Sequence, residues 1–156
     1  MFVRMLVLFT YGSHASLSLS VTNTHTHTHT HPLQLSDNAH TDIVGFTKWS
    51  SSRSPVDVFE LLQTLYGVMD KIAKRRCVYK IETIGDCYLA VSGLPNPQQQ
   101  HAIIMAKFAR DCLHAITTNV MPSLVHKLGL DTADLTMRVG LHSGAVMAGK
   151  FLTTSK

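Results

Sequence analysis

A carboxylate fixed at a tight turn is a good hard-oxygen ligand for a divalent cation, because the backbone there has little freedom left to lose. Asp86 is such a residue. β-Branched and aromatic runs over 77–84 and 87–93 meet at Gly85-Asp86, the pattern of a β-hairpin whose turn carries the acid. A second carboxylate, Asp42, opens Thr41-Asp42-Ile43-Val44-Gly45-Phe46-Thr47, where a strand-to-helix turn contains glycine. Successive backbone N–H groups of Gly45, Phe46 and Thr47 at that turn would cradle a phosphate. Asp42 and Asp86 are far apart in the chain, so only neighbouring strands can bring them together.

The elements that must do so are legible from period and punctuation. Ser54 is an N-cap and Pro55 a first helical residue, opening a helix whose apolar face is Val58, Leu61, Leu62, Leu65, Val68, Met69 and Ile72. Lys71, Lys74, Arg75 and Arg76 close it as cations that complement the helix dipole; the same patch would also attract nucleotide phosphate, acidic lipid or nucleic acid. After Gly93-Leu94-Pro95-Asn96-Pro97, a helix is expected from Gln99 to about His114, burying Ala102, Ile103, Ala106, Phe108, Ala109, Cys112 and Leu113. Pro122 should kink or restart it before Leu124 to Leu128. Leu135 to His142 reads as a strand, with Ser143-Gly144 turning into another at Ala145. Helix, hairpin, helix, strand, strand predicts an α+β sandwich with helices over an antiparallel sheet.

Composition agrees with one globular domain. The chain has 156 residues, 45% hydrophobic and 15% charged, with a formal charge of only +4. Cys77, Cys87 and Cys112 lack metal-ligand or disulfide spacing and suit a reducing compartment, Cys87 and Cys112 as buried structural thiols. Residues 1–40 are expected to stay outside the packed domain as a low-complexity segment. Met1 to Phe9 has the outline of a weak signal peptide, too short to span a bilayer. Thr24 to His31 alternates Thr and His; it reads as an incidental repeat, or as a chelating tract through His25, His27, His29 and His31.

The segments Thr41 to Thr47, Lys80 to Pro95 and Met137 to Gly144 together resemble the catalytic domain of the class III nucleotide cyclases, the guanylyl-cyclase-like branch in particular. The resemblance implies a ferredoxin-like antiparallel sheet covered by helices, over residues 41–150. It implies a phosphorus–oxygen lyase that converts a nucleoside triphosphate, GTP favoured over ATP, to a 3′,5′-cyclic nucleotide and pyrophosphate in intracellular signalling. Asp42, Asp86 and the Ile43 carbonyl would hold two Mg2+ or Mn2+ ions, Gly45, Phe46, Thr47 and Arg138 the phosphates, and Glu82 the purine. The partner implied is a second cyclase domain, as homodimer or heterodimer, with no nucleic acid. A cytoplasmic location follows, with any membrane attachment through segments not in this chain. His142 is expected to be structural, and Phe46 and Trp49 to pack or dock rather than stack on a base.

The resemblance has two edges. The family has an apolar strand before the first carboxylate, whereas Ser36-Asp37-Asn38-Ala39-His40 is polar and is not expected to fill a central strand. After Gly149 the family continues to an asparagine and an arginine that serve the transition state, whereas 151–156 reads as an unrelated tail. The alternative function is therefore a catalytically inactive cyclase fold that binds nucleotide or a partner domain.

Overall fold

The computed structural model describes residues 3–11, 14–22 and 34–152, with side chains from residue 39 to residue 144. Six strands form one antiparallel sheet: β1 (Val3–Tyr11), β2 (His14–Thr22), β3 (Gln34–Val44), β4 (Tyr79–Ile84), β5 (Cys87–Ser92) and β6 (Thr136–Leu152), in the order β2-β1-β6-β3-β5-β4. The helices are α1 (Phe46–Ser51), α2 (Pro55–Arg76), α3 (His101–Ala115) and α4 (Met121–Leu128). The α+β architecture with an antiparallel sheet is as expected.

Helix α2 forms for the reasons legible in its sequence. The Ser54 side chain accepts from the Asp57 N–H at 3.2 Å, and Pro55 follows at the first position. Leu61, Leu65, Met69, Ile72 and Ala73 are buried, while Val58, Leu62 and Val68 pack half-buried beside them. Its basic end is tied down: Arg76 donates to Asp111 of α3 at 2.6 and 2.8 Å, and Arg110 binds the other carboxylate oxygen. Tyr88 of β5 lies under this layer, 5.8 Å from the Tyr66 ring and 6.3 Å from the Phe108 ring.

Helix α3 buries Phe108, Ala109 and Cys112 as expected, but its inner face is completed by Met105. Ala102, Ile103, Ala106 and Leu113 are exposed. The apolar positions of this helix run wider than the face that meets α2 and the sheet. A π-helical turn, Ile116–Val120, follows α3, and α4 begins with Pro122 in its first turn.

Two expectations give way in the centre of the sheet. Ser36 to His40 does lie in a central strand: β3 pairs with β6 from Gln34 to Val44 and with β5 from Asp37 to Thr41. Alternation resolves the polarity problem, burying Ala39, Thr41 and Ile43 and leaving His40 exposed. Buried Thr41 is satisfied, since its Oγ1 donates to the Tyr88 carbonyl and accepts from the Tyr88 N–H at 3.2 Å. Ser143-Gly144 is no turn, because β3 pairs straight through it, Ser143 with Asp37 and Gly144 with Ser36, and β6 runs on to Leu152.

Residues 3–11 and 14–22 are strands, paired with each other and, through β1, with the far half of β6. The strand signal lay in Ala15, Leu17, Leu19 and Val21 alternating with Ser16, Ser18, Ser20 and Thr22, a period of two that the neighbouring Thr-His repeat obscured. The boundaries expected after residue 40 and after residue 150 therefore fall inside β3 and β6 respectively. The Thr-His tract itself lies outside the described residues.

Candidate active site

The site is built on strand register. Thr41 and Tyr88 are directly paired and both buried under the helices. Side chains alternate along a strand, so Asp42 and Cys87, one step further on each strand, lie side by side on the opposite face. On the other flank Asp42 is paired with Arg138 of β6. Arg138 Nε donates to Asp42 Oδ2 at 2.6 Å, and its Nη2 ion-pairs with the same oxygen. Asp86 approaches from the hairpin turn. One ligand atom from each of Asp42, Asp86 and Cys87 lies within 4.8 Å of the others, all three residues half-buried.

The turn that presents Asp86 is tightly determined. Ile84 and Cys87 pair across it, leaving Gly85 and Asp86 as a two-residue loop. Gly85 takes φ +58°, a conformation only glycine adopts without strain. From α2, the Tyr66 hydroxyl donates to the Gly85 carbonyl at 2.7 Å. Burial, and then the charge of Asp86, pushes the Tyr66 hydroxyl above its ordinary value, so it remains protonated as a donor.

A second tie holds the stem of the hairpin. The Tyr88 hydroxyl donates to Asp70 Oδ1 at 2.8 Å, and Lys80 ion-pairs with Asp70 while sitting 5.0 Å above the Tyr88 ring. Glu82 lies half-buried on β4 opposite Leu89, just past a register shift between Lys80 and Glu82. An irregularity of this kind re-aims the side chains that follow it along the strand.

Gly45, at φ +88°, turns β3 into α1, and no side-chain cap covers the first turn of that helix. Phe46 is half-buried and Thr47 exposed there, beside the carboxylate end of β3. Trp49 packs, as expected: it is buried, donates from Nε1 to Thr132 at 3.3 Å and lies under the Arg53 guanidinium. His142 is half-buried on β6.

Cys87 departs from its expected role as a buried structural thiol. It is half-buried, and desolvation followed by the nearby Asp86 and Asp42 charges pushes its thiol up, away from thiolate. Cys112 is the buried thiol, pushed up to about 12 by burial. Sequence reasoning missed Tyr66, Asp70 and Lys80 as supports of the site. Tyr66 and Asp70 lie four apart on α2, a same-face spacing that was the available signal.

The donor set suits a hard divalent cation: two carboxylates converge, one fixed by a central strand and one by a braced turn. Arg138 on the same oxygen offers a guanidinium for phosphate. No helix among the described residues is long and apolar enough to cross a membrane.

Comparison with known proteins gives this site a context. A family model for the adenylate and guanylate cyclase catalytic domain matches residues 39–155. The receptor-type guanylate cyclase gcy-28 of Caenorhabditis elegans is 41% identical over 109 residues, covering 70% of this chain but only 8% of that protein. A dimeric guanylyl cyclase domain of the RhoGC fusion protein from the aquatic fungus Blastocladiella emersonii superposes with a TM-score of 0.68 at 34% identity, covering 83% of this chain and 67% of that one. The guanylate cyclase domain of RhGC from Catenaria anguillulae, solved in complex with GTP, matches with a TM-score of 0.64 at 33% identity, over 77% of this chain and 66% of that one.

Proposed function

This chain belongs to the family of adenylate and guanylate cyclase catalytic domains, and from that premise we propose that its sheet face carries the metal half of a cyclase active site, used on GTP in preference to ATP. The observation that carries the reading is the convergence of Asp42, Asp86 and Arg138 from three elements onto one patch.

In this reading Asp42 and Asp86, with the Ile43 carbonyl, hold two Mg2+ or Mn2+ ions. Bound there, such ions supply charge for the α-phosphate and the departing pyrophosphate and lower the pKa of the attacking 3′-hydroxyl. The amides of Gly45, Phe46 and Thr47 take phosphate oxygens at an uncapped helix start. Arg138 exchanges Asp42 for the terminal phosphates, since a cation and a guanidinium compete for one carboxylate oxygen. Glu82 accepts from the N1–H and 2-amino group of guanine, donors that adenine lacks in that arrangement.

The partner is a second cyclase domain across the sheet face, consistent with the dimeric fungal relative. Cyclic-nucleotide signalling on the cytoplasmic side of a larger protein belongs to the same proposal, as receptor-type relatives such as gcy-28 suggest.

Calorimetry with Mn2+ and GTP tests it. Each should raise the affinity for the other, and Asp42→Asn with Asp86→Asn should remove that coupling. Equal coupling in wild type and double variant sinks the assignment.

A further inference from the structure

A two-residue loop such as Gly85-Asp86 has two common forms to choose between. Two-residue hairpin turns are commonly type I′, with positive φ at both central residues, or type II′, with positive φ at the first alone. The two differ by a flip of the peptide between those residues. Here Gly85 has φ +58°, and among described non-glycine residues only Cys77 has positive φ, so Asp86 is outside the left-handed region and the loop follows the II′ pattern. Asp tolerates left-handed φ better than most residues, so the I′ form is open to it. A Cβ on Gly85 would meet nothing within 4 Å, so the glycine itself stands in open space.

What chooses is the acceptor at the flipping peptide. Its oxygen is the Gly85 carbonyl, and Tyr66 donates to it at 2.7 Å across 19 residues. The donor cannot easily follow a flip: the Tyr66 ring lies 5.8 Å from Tyr88, whose own backbone is pinned by Thr41 and whose hydroxyl is held by Asp70. In the I′ form the carbonyl turns over, and the Cα–Cβ bond of Asp86 is re-aimed relative to Asp42.

We infer that Tyr66 is a positioning residue of the metal centre, locking the Gly85–Asp86 peptide in the orientation that delivers the Asp86 carboxylate to Asp42. The inference rests on the reading of Asp86 as a metal ligand. Tyr66 acts through the turn and touches neither cation nor substrate.

Mn2+ affinity of the full chain, read from the electron paramagnetic resonance of free Mn2+, tests it. Tyr66→Phe should weaken Mn2+ binding roughly threefold to tenfold, the range one hydrogen bond supports, with the melting temperature within about 4 °C of wild type. Restoring a donor with p-aminophenylalanine at position 66 should return the affinity to near wild type. In an Asp86→Asn background, Tyr66→Phe should have no further effect on Mn2+. Asp86→Asn that leaves Mn2+ binding intact overturns the metal reading itself. Loss in Asp86→Asn without loss in Tyr66→Phe, failure of the amine to rescue, or an additive double variant each overturns the role of Tyr66 alone.

Discussion

Arg138 and Asp42 are directly paired residues of β6 and β3, and Arg138 Nε donates to Asp42 Oδ2 at 2.6 Å. The proposed phosphate ligand is thus engaged with the proposed metal ligand. The guanidinium offsets the repulsion between Asp42 and Asp86, whose ligand oxygens lie within 4.8 Å of each other. It also couples two binding events through one oxygen.

That coupling has a sign. Arg138→Ala should tighten Mn2+ binding without nucleotide by roughly twofold to fivefold, the scale of a solvent-exposed ion pair. It should weaken nucleotide binding in the presence of Mn2+ by at least tenfold, since a guanidinium–phosphate contact is lost. Titrations in the two orders check this, and weaker Mn2+ binding in the nucleotide-free variant would refute it.

Glu82→Lys exchanges an acceptor for a donor at the proposed purine contact. Preference between GTP and ATP should move towards ATP by about tenfold to a hundredfold, as expected for a hydrogen bond to a charged group. Competition between the two triphosphates measures it. An unchanged ratio would mean that Glu82 does not read the purine.

Thr41→Val is nearly isosteric but removes both hydrogen bonds to the Tyr88 backbone. Buried backbone groups of Tyr88 lose these side-chain bonds, so stability should fall by about 1–3 kcal/mol. Urea unfolding would register it as a lower midpoint at constant slope.

Asp111 should govern part of the acid sensitivity. Partial desolvation pushes its carboxyl up, but hydrogen bonds from Arg76 and Arg110 outweigh this and hold it below the ordinary carboxylate range. Its contribution is therefore complete above the unfolded-state pKa, about 3.9, and is lost as pH falls through the lower folded-state value. Asp111→Asn should destabilise by about 1–2 kcal/mol at neutral pH and flatten the stability profile below about pH 4. An unchanged acid limb would show that the α2–α3 clamp carries no linkage.

Much of this protein is determined by its sequence alone, because the signals are local. Ser54, Pro55 and the apolar face of α2 specify that helix within its own span. Gly85-Asp86 between two strand-forming runs specifies the hairpin, and Gly45 the turn after Asp42. Residue types at those turns were sufficient to nominate both carboxylates, whereas Glu82 and Arg138 were nominated only by the family resemblance.

What only the tertiary structure decided is register and reach. Nothing local says that Arg138 stands opposite Asp42, 96 residues away, or that Tyr66 meets the Gly85 carbonyl. A slip of one residue between β3 and β6 would send Asp42 and Arg138 to opposite faces, and the choice is made by the buried set Ala39, Thr41 and Ile43 packing as one unit under the helices. The same pairing overrides the Ser143-Gly144 turn signal and carries polar residues of 36–40 through the centre of the sheet. Local preference there amounts to a fraction of a kcal/mol per residue, and the cooperative pairing of a whole strand outweighs it.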